Sequence, residues 1–174
     1  MTYVISPLTE DHVTDQFSCG PTSLNAYIRH EARKQAANGW GQVQVLTLGD
    51  DRRVIGYYAL CASRIERGHV SAEDLKGGPQ HPVPAILLAR LAVDSEFKGQ
   101  GLGEMLLTQA LSDAVAVSKT VGWVVFEVDA PDEGARGFYR RYGFVSVAED
   151  ATKLYLTREA VFQAVGARTT TANG

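Results

Sequence analysis

The stretch Ala85–Glu104, AILLARLAVDSEFKGQGLGE, decides how the rest of the chain is read. Ala85–Val93 is apolar except for Arg90, the pattern of a strand covered on both faces. Asp94 to Lys98 turns the chain. Glycines at 99, 101 and 103 then lead into a helix expected from about Gly101 to Lys119. Leu106, Leu107, Ala110, Leu111, Ala114 and Val117 recur along it at helical spacing and form its apolar stripe.

Downstream, Gly122 closes that helix, and Trp123–Val128 (WVVFEV) repeats the buried-strand pattern. Asp132 is placed to cap a helix over Glu133–Tyr142, where Ala135, Phe138, Tyr139 and Tyr142 share a face. Gly143 reads as a left-handed stop, with Phe144 as its hydrophobic contact. Val145–Val147 and Lys153–Thr157 read as a last strand pair. The domain is expected to fill residues 1–166, with Ala167–Gly174 as a loose tail. Upstream, Tyr3–Ser6 reads as a short strand. A helix is predicted from Thr22 to Ala37, with Leu24, Tyr27, Ile28, Ala32 and Ala36 inward and Arg29, His30, Arg33 and Lys34 outward. Gln42–Leu48 and Val54–Ser63 form a hairpin around Gly49-Asp50-Asp51. Arg64–Pro84 reads as a loop with a helical turn near Ala72–Leu75. Strands and helices in this order make a mixed α/β domain.

The bulk composition removes several classes. A chain of 174 residues suits one core. Its 45% hydrophobic and 21% charged residues are ordinary for a globular protein. No apolar run reaches the roughly 18 residues of a membrane span. The start, MTYVISPLTEDH, lacks a basic region followed by an apolar one, so the cytoplasm is the expected compartment. Cys19 and Cys61 have no metal-ligand spacing and read as reduced structural thiols, and no metal site is expected. A net charge of −3 argues against a general nucleic-acid binder but leaves room for a local basic patch.

The glycine turn carries the first chemistry. The leading N–H groups of a helix have no partner inside it, and the helix dipole is positive at that end. Glycines at 99, 101 and 103 clear the approach for a pyrophosphate, and Lys98 adds a cation. A bland reading also stands: the glycines make a tight strand–helix turn. Two common nucleotide motifs do not fit. A dinucleotide site needs GxGxxG, and a P-loop needs Gly-Lys-Ser/Thr at the helix start.

A second segment matters here: Ala135-Arg-Gly-Phe-Tyr139-Arg-Arg-Tyr142-Gly-Phe144. Taken with RLAVDSEFKGQGLGEMLL, it resembles the paired signatures of the GNAT superfamily of N-acetyltransferases, in the same order and spacing. Lys98 stands where that family usually has Arg or Gln, and a lysine is a point charge rather than a planar fork. The resemblance implies a single domain with a central twisted, mostly antiparallel sheet, a splayed parallel strand pair, and helices on both faces. It implies acetyl-CoA as cofactor. Leu91, Ala92, Val93 and Asp129 would flank the pantetheine arm. Lys98, Gly99, Gln100, Gly101, Gly103 and Glu104 would take the pyrophosphate, and Ala135 and Phe138 would complete the site. Tyr139 would protonate the departing thiolate, a task suited to a phenol that is protonated at neutral pH. The Ala85–Val93 strand lacks the glutamate base of many relatives. Glu127 and Asp129 share one strand face and are candidate bases, or candidate partners for Arg90. An acceptor α-amine, with a pKa of about 8, needs less help than a lysine.

Phe17–Ile28 (FSCGPTSLNAYI), Gly56–Leu60 (GYYAL) and Pro82–Asp94 (PVPAILLARLAVD) add a narrower resemblance, to the GNAT-type toxins of bacterial toxin–antitoxin modules. It runs from about Leu8 to Leu156. It implies acetylation of the α-amine of aminoacyl-tRNA, a ribbon-helix-helix antitoxin and a homodimer. A tRNA site needs clustered cations; the candidates are Arg29, Arg33, Lys34, Arg90 and Arg140. An arginine inside an apolar strand, as Arg90 is, needs a partner or a ligand. The acceptor could instead be a small-molecule amine or a protein N-terminus, and a non-enzymatic acyl-CoA-binding or antitoxin-partner module is the reading from another class.

Overall fold

A computed structural model describes residues 2–147 and 150–172, with side chains as far as residue 168. Seven strands form one sheet in the order β1-β2-β3-β4-β5-β7-β6. They are β1 (Tyr3–Pro7), β2 (Gln42–Leu48), β3 (Gly56–Ile65), β4 (Val83–Val93), β5 (Val125–Asp129), β6 (Val145–Val147) and β7 (Asp150–Thr157). The β1–β2, β2–β3, β5–β7 and β6–β7 pairs are antiparallel. The β4–β5 pair is parallel, from Ala85↔Val125 to Leu88↔Val128. The fold is therefore the mixed α/β, mostly antiparallel sheet that the resemblance implied.

The chain divides into two compact units: Met1–Cys61 with Ala89–Ala110, and Ala62–Leu88 with Leu111–Gly174. The first unit is built on a core of Phe17, Tyr27, Ile28, Val45, Tyr57 and Ala92. Its first helical segment is not one regular helix. α1 (Thr22–Ala26) passes through a π-helical turn (Tyr27–Glu31) into α2 (Ala32–Ala37). The Ala32 N–H reaches back to the Tyr27 carbonyl across that wider turn. Gly56 begins β3 where the helix α4 (Leu102–Val117) presses on the sheet. A β-carbon there would stand 3.1 Å from Leu106 Cδ1 and 3.3 Å from the Ala92 carbonyl oxygen, so only glycine admits the helix this closely.

The second unit packs Ile65, Val70, Val83, Ala85, Val125, Val147 and Tyr155 together. The segment predicted as a loop from Arg64 holds the short helix α3 (Ala72–Leu75), capped by the Ser71 hydroxyl. Helix α5 (Glu133–Arg140) starts where expected, and Asp132 Oδ1 accepts from the Ala135 N–H at 2.8 Å. Gly143 is left-handed, with φ of 90°, and Phe144 behind it is buried.

Four expectations need correction. Helix α6 (Arg158–Ala172) follows β7 and carries the expected loose tail, Ala167–Gly174, as helix as far as Ala172; residues 173 and 174 lie outside the described residues. The Thr157 hydroxyl accepts from the Ala160 N–H and so starts α6. Val117, placed on the apolar stripe of α4, is exposed at the helix end. The double burial expected of β4 is met at Ala85, Ile86, Leu88 and Ala92, but Leu87, Ala89, Arg90, Leu91 and Val93 are half-buried. Arg29 and Arg33, expected to face outward, are also half-buried, because both donate to carbonyls of the Thr9–Phe17 segment.

Candidate functional site

The glycine turn lies in the first unit. β4 ends at Val93, and Asp94 begins a tight turn through Ser95–Phe97. Asp94 is buried, yet every contact it makes is accounted for. Its Oδ1 accepts from the Glu96 N–H at 3.0 Å and its Oδ2 from the Ser18 N–H at 3.1 Å. Arg53 Nη2 lies 3.7 Å from Oδ2 and 2.9 Å from Glu96 Oε2. The Ser95 N–H returns a bond to the Ser18 carbonyl. This carboxylate fixes where the strand stops and the turn begins.

Beyond it, Lys98, Gly99, Gln100 and Gly101 are exposed. Gly99 and Gly101 have φ of 79° and 78°, and an added β-carbon at either would meet nothing within 4 Å. The left-handed backbone rather than crowding demands glycine here. The result is an open cradle at the N-terminus of the sixteen-residue α4. The helix supplies N–H donors and the positive end of its dipole. The residues present thus fit a pyrophosphate. Lys98 Nζ donates to the Cys19 carbonyl oxygen at 2.6 Å, which holds the ammonium beside the turn. The Gln100 side chain accepts from the Tyr3 hydroxyl at 2.9 Å. Gly103 is half-buried inside α4, and Glu104 is exposed in its first turn. Leu91 and Val93 are half-buried, but the Ala92 side chain belongs to the core, so only its backbone is available to a ligand.

The cations in this unit divide by their partners. Arg29 donates through Nε and Nη2 to the Phe17 carbonyl oxygen. Arg33 donates to the carbonyls of Thr9 and His12 and to the Thr14 hydroxyl. Both therefore bind down the Thr9–Phe17 segment, whose carbonyls have few ladder partners of their own. Lys34 is exposed. Arg90 lies with its guanidinium carbon 3.8 Å from the centre of the Tyr27 ring.

Tyr139 lies in the second unit, on α5, and is 6% exposed. Its ring meets Phe138 and Phe144 edge-on at 5.1 and 5.3 Å. Among the described residues, no group hydrogen-bonds its hydroxyl. Burial, and after it the negative Asp129, push its ionisation well above the usual phenol range. The proton therefore stays on the oxygen at any physiological pH. Ala135 and Phe138 are half-buried on the same helix, and Arg140 is tied to Glu133 at 3.0 Å. Asp129 is exposed at the end of β5. Glu127, two residues earlier, is buried, and its Oε1 accepts from the Ser63 hydroxyl at 2.5 Å. Burial raises the Glu127 carboxyl above its ordinary range, while the Ser63 hydrogen bond holds it down in part. Sequence reading missed Ser63, and it missed the part Asp94 plays in shaping the turn; an Asp two residues ahead of a Glu at a strand end is the signal that marks Asp94 as a turn former.

Comparison with known proteins settles the family. Residues 41–146 match the acetyltransferase (GNAT) domain. This chain belongs to the GNAT acetyltransferases. The match spans the glycine turn and Tyr139, with the strand β4 that leads into the one and the helix α5 that carries the other. Within the GNAT family, a tRNA-acetylating toxin of Mycobacterium tuberculosis is 35% identical over 146 residues, covering 84% of this chain and 86% of its own. Among solved structures, a tyrosine-to-phenylalanine variant of KacT superposes with a TM-score of 0.88 at 30% identity, covering 94% of this chain and 99% of KacT. AtaT complexed with acetyl-methionyl-tRNAfMet gives 0.86 at 30% identity, covering 93% and 98%. AtaT bound to the C-terminus of the antitoxin AtaR and acetyl-CoA gives 0.79 at 29% identity, covering 94% and 97%. No described helix is long and apolar enough to cross a membrane.

Proposed function

We propose that this GNAT acetyltransferase transfers the acetyl group of acetyl-CoA to the α-amine of aminoacyl-tRNA, and so acts as a toxin that blocks translation. The observation that carries the reading is the likeness over more than four-fifths of the chain to a tRNA-acetylating toxin, together with the two GNAT signatures. Acetyl-CoA supplies an acetyl group activated as a thioester. The N–H groups from Gly99 to Gly103 take its pyrophosphate, with Lys98 adding charge and Gln100 and Glu104 bordering the turn. The backbone of Leu91, Ala92 and Val93 in the first unit takes the pantetheine, and Asp129, Ala135 and Phe138 are the residues of the second unit assigned to the same donor. As the C–N bond forms, the attacking nitrogen releases one proton to solvent; as the C–S bond breaks, Tyr139 gives its hydroxyl proton to the sulfur and then recovers one from solvent. The acceptor needs to be neutral to attack. An α-amine with a pKa of about 8 is neutral in useful amount at pH 7, whereas a lysine at about 10.4 is not. This suits a chain whose β4 carries no carboxylate.

Arg90, Lys34 and Arg140 are the cations for the tRNA. Arg29 and Arg33 hold the Thr9–Phe17 segment and add to the local field. The protein works as a cytoplasmic homodimer, silenced by an antitoxin of the ribbon-helix-helix type. Labelled acetyl-CoA, incubated with charged and with deacylated bulk tRNA, tests the reading. Label on charged tRNA alone is expected, and absence of label from every charged tRNA overturns it. Acetylation of small amines or protein N-termini without growth arrest on expression would favour the second reading, which the net charge of −3 suits.

A further inference from the structure

The guanidinium of Arg90 sits over the face of Tyr27, its carbon 3.8 Å from the ring centre. Tyr27 is itself packed on every side. It is 2% exposed, packs on Tyr57 at 5.9 Å, and opens the π-helical turn whose hydrogen bond from Ala32 fixes its backbone. Tyr57 is tethered in turn by its hydroxyl to the Leu24 carbonyl at 2.8 Å. The ring covers the guanidinium from one side, and the N–H groups of the fork remain available as donors. Among the described residues, no carboxylate, carbonyl or hydroxyl accepts from them. A half-buried arginine held this rigidly without an acceptor is prepared for an anion from outside the protein. The planar edge suits two oxygens of one phosphate or carboxylate.

We propose that Arg90 receives a phosphodiester at the 3′ end of the acceptor tRNA, and so selects aminoacyl-tRNA over free amines. This rests on the proposed function. Arg90 immediately precedes Leu91–Val93, the stretch assigned there to the acyl donor. In an aminoacyl-tRNA, a single ribose joins the aminoacyl ester to the terminal phosphodiester, so the anion site belongs beside the acetyl site. A free amino acid would offer a carboxylate instead, but esterification removes that charge. The phosphodiester is then the anion nearest the amine. Acetyl-CoA also carries phosphates, and the test separates the two sources.

The experiment compares wild type, R90Q and R90K on charged bulk tRNA and on an amino-acid methyl ester, which has the amine but no phosphate. Acetyl-CoA affinity is measured by calorimetry on each protein. For R90Q, kcat/KM on aminoacyl-tRNA falls about 10- to 100-fold, the loss of a charge-assisted pair. Its salt dependence becomes shallower by about 0.7 in log–log slope, one single-strand phosphate contact. The methyl ester reacts equally with both proteins, and acetyl-CoA affinity stays within twofold. R90K recovers part of the loss, because charge remains and the planar edge does not. Equal losses on both acceptors, an unchanged rate on aminoacyl-tRNA, or a matching loss of acetyl-CoA affinity each overturn the proposal. A wild type that acetylates the ester but no charged tRNA overturns the proposed function itself, a result distinct from any confined to R90Q.

Discussion

Replacing Tyr139 with phenylalanine removes one oxygen and little else. The ring keeps its edge contacts with Phe138 and Phe144, and no hydrogen bond to the protein is lost among the described residues. Stability should therefore change by less than about 1 kcal/mol in either direction, because no protein hydrogen bond and little packing is lost. Turnover should behave differently. A positioned general acid contributes about 100- to 10,000-fold, or about 3 to 5 kcal/mol of barrier. Y139F should lose kcat in that range and bind acetyl-CoA as wild type does. The assay is release of free CoA thiol at saturating acceptor, with acetyl-CoA affinity by calorimetry and the melting temperature as control. Burial also raises the Tyr139 ionisation, so wild-type kcat should not fall as pH rises from about 8 towards the ordinary phenol value of about 10. Turnover within about threefold of wild type, or a loss of affinity as large as the loss of kcat, would refute the role given to this residue.

Other perturbations separate the remaining parts. Gly101→Ala has room for its methyl group but must hold φ near 78°, so it should destabilise by about 1 kcal/mol in urea unfolding and weaken acetyl-CoA binding as the turn relaxes. Asp94→Asn leaves Arg53 beside a neutral amide and weakens two bonds to backbone N–H groups; it should cost about 2 kcal/mol by the same assay, while Glu96→Gln, at the exposed end of the same arginine, should cost well under 1. Glu127 has its folded-state ionisation raised above the unfolded value of about 4.3, so its contribution to stability is complete below that pH and is lost as pH rises through the folded-state value. Glu127→Gln keeps an acceptor for Ser63 and cannot ionise. Its melting temperature should exceed that of wild type at pH 7 by more than it does at pH 4, and the opposite trend would show that the carboxylate is stabilised in the fold.

What the sequence disclosed, and what it hid, follows from distance along the chain. The glycine turn was legible because strand, glycines and helix are contiguous, and the Asp132 cap and Gly143 stop because each is a local backbone demand. The Asp94 network was not, since its partner Ser18 is 76 residues away. The π-helical turn has no residue signature, so one regular helix was expected. The outward setting of Arg29 and Arg33 failed for a related reason: the Thr9–Phe17 segment folds over them, and carbonyls in an irregular segment attract guanidinium groups. Helix α6 was hidden because its residues carry no sustained apolar stripe. Phe162 is half-exposed while Val161 beside it is fully buried, and the start signal, the Thr157 hydroxyl, lies inside a strand pattern. Arg90 was anomalous in sequence as a cation in an apolar strand, but Tyr27, which answers it, read only as core.

In the proposed reaction the acetyl group ends on the α-nitrogen of an amino acid esterified to tRNA. The direct measurement treats charged tRNA with the protein and acetyl-CoA, digests it with nuclease, and reads the aminoacyl-adenosine fragments by mass spectrometry. The account predicts fragments heavier by one acetyl group, located on the α-nitrogen by fragmentation, and none from deacylated tRNA. Unmodified aminoacyl-adenosine for every amino acid, or acetyl groups on a base or an amino-acid side chain, would contradict it.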